Sequence, residues 1–80
     1  MIFNMQTLGS GDAFAFIFIS NATANATVYA TANRTYRAKA DSAGKACIAV
    51  GEAGTFTLTC GQLLAYATVP SNGGVVKQTF

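Results

Sequence analysis

The sequence predicts an all-β fold, a two-sheet sandwich of seven short strands, and three observations carry that reading. Ten Thr alternate with Ala, Val, Phe and Tyr, residue types that suit a half-buried pleated surface. Gly44, Gly51, Gly54, Gly61, Gly73 and Gly74 fall at the breaks between these stretches, and the single proline, Pro70, stands before a Ser-Asn-Gly-Gly turn. Ala is a good helix former, but no window repeats apolar residues at i, i+3, i+4 and i+7 without a Thr, Asn or Gly interrupting it.

The elements follow in order. Residues 1–12, MIFNMQTLGSGD, read as an N-terminal arm ending in a Gly-Ser-Gly hinge, and residues 13–80 as the domain. Strands are expected over 13–20, 26–32, 36–40, 45–50, 55–60, 63–69 and 75–80. Side-chain alternation points Val28 and Ala30 inward from the second strand, and Tyr36, Ala38 and Ala40 from the third. A three-residue loop, Asn33-Arg34-Thr35, would set Ala30 opposite Ala38 and Val28 opposite Ala40. The same register would set Tyr29 across from Lys39 and Thr31 across from Arg37. A loop from Gly51 to Thr55 would make the fourth and fifth strands a hairpin, with Ile48 and Val50 facing Leu58 and Phe56. Asp41-Ser42-Ala43-Gly44 reads as a type I turn whose Gly takes positive φ.

Composition sets outer limits. Eighty residues hold one domain; the chain is 51% hydrophobic and 10% charged, with net charge +2. That excludes a disordered tail and a polybasic nucleic-acid arm. Fifteen of the apolar residues are Ala, which bury little area each, so a core of this kind is expected to gain from a covering neighbour. The longest apolar run, residues 13–19, is too short to span a bilayer, and residues 1–12 carry no Lys or Arg to begin a secretory signal. No membrane partner is expected.

Two cysteines and no histidine leave no basis for a zinc site or a disulfide scaffold. On the expected hairpin Cys60 points inward and Cys47 outward, so free thiols are predicted. The only carboxylates, Asp12, Asp41 and Glu52, lie in separate turns, which gives acid–base catalysis and calcium binding no footing. No Gly-rich phosphate loop is present. Neither an enzyme nor a cofactor, metal or small-molecule substrate is expected.

Part of the chain is similar to a widespread β-sandwich pattern. It runs ATVYATANRTYRAKADSAGKA from Ala26, then VGEAGTFTLTC from Val50 to Cys60, and closes on VPSNGGVV from Val69. Its Asp-x-x-Gly-Lys turn and Ala-Gly-Thr-aromatic-Thr turn resemble those of Ig-like and transthyretin-like (carboxypeptidase-regulatory-like) modules. Versions of these modules occur in bacteriophage virion proteins and on Gram-positive cell surfaces. The resemblance implies an Ig-like, seven-stranded antiparallel sandwich. Without a tandem repeat or cell-wall anchor, it points to a phage virion protein made in the bacterial host cytoplasm: a capsid decoration or cement subunit, or a small head or tail appendage.

Two surfaces are candidates for function. In the first strand Phe14, Phe16 and Phe18 line one face, and Ala13, Ala15, Ile17 and Ile19 the other. A strand apolar on both faces needs cover on both. The cover is either the arm or a neighbouring subunit, and an exposed row of Phe favours the interface. Ile2, Phe3 and Leu8 of the arm join Phe14, Phe16 and Phe18 as expected contacts in a homo-oligomer or with other virion proteins. The second surface is a candidate anionic-ligand patch of Tyr29, Arg34, Arg37 and Lys39. Three cations make a weak field for nucleic acid, so a solvated face is the expected reading. It would serve the alternative function, a small phage-encoded binding module that inhibits a host defence protein or holds a surface glycan. Three Asn-x-Thr triplets, at Asn21, Asn25 and Asn33, are expected to be turn and strand residues rather than glycan acceptors.

Overall fold

The computed structural model describes residues 14–80. The arm expected over 1–12, with Ile2, Phe3 and Leu8, lies outside the described residues, as does Ala13. Seven strands follow in order: β1 (Ala15–Ser20), β2 (Thr27–Thr31), β3 (Thr35–Lys39), β4 (Ala46–Val50), β5 (Gly54–Cys60), β6 (Leu63–Val69) and β7 (Gly74–Thr79). They form two sheets, a three-stranded one in the order β4-β1-β7 and a four-stranded one in the order β3-β2-β5-β6. Each strand lies within a residue or two of its expected place, because alternation and turn residues mark both faces and ends.

The neighbours differ from expectation at three points. The sheets are not antiparallel throughout, since β1 runs parallel to β7, with Phe16 beside Val75 and Phe18 beside Lys77. β4 and β5 do not form a hairpin. β4 pairs with β1 and β5 with β2 and β6, so Ile48 and Val50 meet Phe56 and Leu58 across the core instead of along a ladder. The β2–β3 turn has the expected three residues but lies one residue earlier, over Ala32-Asn33-Arg34, which shifts the register by two and sets Val28 opposite Ala38, Ala30 opposite Tyr36 and Thr31 opposite Thr35. Its facing pairs on the outer side are therefore Tyr29 with Arg37 and Thr27 with Lys39.

The core lies between the sheets. Ile17 and Ile19 of β1, Ile48 and Val50 of β4, and Val28, Phe56, Leu58 and Val69 of the other sheet are buried together, with Ala filling most remaining positions. Phe56 meets Tyr36 edge-on, with ring centroids 5.9 Å apart. The described residues bury no polar or charged residue. The Asp41 turn forms as expected. Asp41 Oδ1 accepts the N–H of Ala43 (2.9 Å) and of Lys45 (3.0 Å), and Gly44 sits at φ +76. This turn carries the chain from one sheet to the other and docks on the β1–β2 connection, where the Ala22 N–H donates to the Gly44 carbonyl at 2.9 Å.

Candidate functional site

The outward face of the three-stranded sheet is built by the central strand β1. Its inward residues Ala15, Ile17 and Ile19 are buried, which turns Phe14, Phe16 and Phe18 to the other side. Phe14 is 39% exposed, while Phe16 and Phe18 are half-buried. The register brings Ala49 and Cys47 of β4 beside Phe16 and Phe18, and Val75 and Lys77 of β7 on the opposite flank. Ala49 and Cys47 are buried and Val75 is 60% exposed. This apolar face is therefore open at Phe14 and Val75, half-buried at Phe16 and Phe18 and covered over Ala49 and Cys47, with Lys77 the one charge on its strand positions.

Cys47 has a place on this face, while Cys60 points into the core from β5, in the other sheet. The two thiols are free and separated by the sheet layers, not by the two faces of one hairpin. Burial pushes the Cys47 thiol above its ordinary pKa, so it stays protonated and weakly nucleophilic near neutrality. Where the strands end, Phe18, Ser20, Lys45, Lys77 and Thr79 line a hollow of ≈ 410 Å³. Lys45 and Lys77 meet there only because β7 lies parallel to β1, a pairing that carries no local sequence signal.

The second candidate surface is partly assembled. Tyr29, Arg37 and Lys39 share the outer face of β2 and β3, and Arg37 and Lys39 border a shallow hollow of ≈ 190 Å³ with Thr27. Arg34 stands in the turn beyond, where a carboxylate intervenes. Glu52 Oε2 accepts the Arg34 N–H at 3.0 Å and the Tyr36 hydroxyl at 3.2 Å, and its Oε1 accepts from the Asn33 side-chain amide at 2.8 Å. Partial burial raises the Glu52 pKa, but these bonds and a further one from the Asn33 N–H outweigh it and hold the carboxyl below its ordinary value. Glu52 thus places negative charge at the Arg34 end and limits the patch to Tyr29, Arg37 and Lys39. Sequence reasoning missed this role, because the signal lies in contacts between residues nearly twenty apart.

The Asn-x-Thr triplets sit in turns: Asn21 and Asn25 adopt positive φ, and Asn33 caps the Glu52 carboxylate. Among the described residues no group of three or more His, Cys, Asp or Glu could hold a metal ion, and no helix is long and apolar enough to cross a membrane. Compared with family models, characterised proteins and solved structures, the chain matches none.

Proposed function

We propose that this protein is a non-enzymatic structural subunit that works by assembling, its three-stranded sheet packing face-on against a second copy or a neighbouring subunit. The observation that carries the reading is the outward row Phe14, Phe16 and Phe18, flanked by exposed Val75 on β7 and by Cys47 and Ala49 on β4. Such a surface is stabilised when covered, at about 25 cal/mol per Å² of apolar area removed from water. A bacteriophage particle is the setting suggested by the resemblance, as a decoration, cement or small appendage subunit. An immunoglobulin constant-type sandwich puts the first strand in a sheet with the second, fifth and fourth. Here the first strand joins the fourth and seventh, so the strand order is not that of a constant-type domain.

The test is solution mass by light scattering over a concentration series, on the wild type, Phe16→Asp and Val75→Lys. The wild type should form a discrete oligomer or climb toward large species, and both variants should lose the contact made by this face. Val75 is exposed, so Val75→Lys keeps the fold if Phe16→Asp does not. A folded Val75→Lys protein that assembles like the wild type sinks the reading. The alternative, a binding module using Tyr29, Arg37 and Lys39, is favoured by the facing of Tyr29 and Arg37. Capture of one host protein at a fixed ratio would support it, whereas enrichment in purified particles would support the virion reading.

A further inference from the structure

Two sheets have four edges, and three of them are blunted. β3 carries Arg37 and Lys39, and β7 carries Lys77. β4 is buried along its whole length. Charge and cover are the usual means by which an edge strand is kept from pairing with another chain. β6 has neither. Among the described residues it is hydrogen-bonded as a strand only to β5, and its seven residues, LLAYATV, contain no charge and no proline. Leu63, Leu64 and Tyr66 are exposed, Tyr66 at 57%.

We infer that β6 is a second assembly contact, distinct from the Phe face, at which two copies of this chain pair edge to edge about a two-fold axis through Tyr66. An exposed row of backbone N–H and C=O groups is solvated by water in the monomer, and another extended strand can satisfy the whole row at once. An antiparallel pairing about a two-fold is self-complementary, so the strand's own copy fits without any further device. With Tyr66 at the middle of Leu63–Val69, the register sets Tyr66 against its counterpart and Leu64 against Thr68 on the outer side. It sets Ala65 against Ala67 and Leu63 against Val69 on the inner side. Each apolar side chain thereby meets a small or apolar partner, no charge is buried, and the four-stranded sheet becomes a continuous eight-stranded one.

The decisive variants are Tyr66→Lys and Tyr66→Glu, each at an exposed outer-face position that the fold tolerates. In either homodimer, like charges would stand directly opposite each other across the axis. Sedimentation velocity on each variant alone should show the dimer weakened about tenfold, from the loss of the aromatic pair plus like-charge repulsion. An equimolar mixture should recover a dimer, because Lys then faces Glu. Hydrogen exchange should show amides of Leu63–Val69 protected more strongly as wild-type concentration rises, but not in Tyr66→Lys. A wild type with no discrete dimer, a Tyr66→Lys protein as dimeric as the wild type, or a mixture that stays monomeric would each overturn the inference. Val75→Lys should leave this dimer intact, so failure at the edge and failure at the Phe face are read separately.

Discussion

Glu52 shows how one partly buried carboxylate can fix a hairpin. It sits in the connection that leaves β4 for the other sheet, and it gathers the Asn33 and Arg34 amides and the Tyr36 hydroxyl of the β2–β3 hairpin. The ionised form is the acceptor of these bonds, so folding favours it and the folded pKa lies below the ordinary 4.5. A depressed carboxylate pKa contributes stability that is fully present above the unfolded pKa and is lost as pH falls through the folded one. Glu52→Gln should therefore lower the melting temperature at neutral pH. The gap between wild type and variant should narrow below about pH 4.5 as the wild-type carboxyl protonates. Melting curves from pH 7 to pH 2.5 check this, and a gap that widens toward acid would refute it.

At the scale of elements, the connections decide the topology. Only β2–β3 and β5–β6 are hairpins within a sheet, and the other connections cross between sheets. The β3–β4 crossing depends on Gly44, whose φ is +76 and whose missing Cβ leaves room for the Ala22 carbonyl oxygen. Gly61, at the tip of the β5–β6 hairpin, shares the positive φ but faces open space. Gly61→Ala should cost about 1–2 kcal/mol for the left-handed backbone alone, and Gly44→Ala more than that, because a backbone atom obstructs it. Urea unfolding at unchanged m-value measures both, and equal losses would mean that the docking of the turn contributes nothing. The same connections mark where sequence reasoning stops. A period of two tells which way a side chain points, so the inward set Val28, Ala30, Tyr36, Ala38, Phe56 and Leu58 was legible. It does not tell which strand lies alongside. Val28 opposite Ala38 and Val28 opposite Ala40 have the same alternation, and Glu52 closing the Asn33-Arg34 turn selects the first. Ile48 and Val50 face the same core whether β4 pairs with β5 or lies opposite it, so the wrong neighbour carried no cost in pattern. Of the candidate surfaces, the Phe row could be read because it lies on one strand, whereas Tyr29 facing Arg37 required the register.

For the whole molecule, the two free thiols are built-in reporters of its two apolar layers. Cys60 lies between the sheets, so a reagent reaches it only when the sheets separate, which is global unfolding. Cys47 lies on the outer side of β4, a strand at the edge of its sheet, covered within the monomer but outside the shared core. Fraying of one five-residue strand exposes it at a lower free-energy cost than unfolding does. Single-thiol variants Cys60→Ala and Cys47→Ala should therefore label at different rates in dilute solution, the protein retaining Cys47 reacting faster. If copies associate through the Phe face, Cys47 labelling should slow as protein concentration rises, because the strand that must fray is then held beneath a neighbour. Cys60 should slow only to the extent that association stabilises the whole fold. Pulsed thiol labelling read by mass spectrometry over a hundredfold concentration range separates the two. A Cys47 rate that does not change with concentration while light scattering shows growing assemblies would mean that the growth uses other surfaces, and would move the assembly function from the Phe face to the edges.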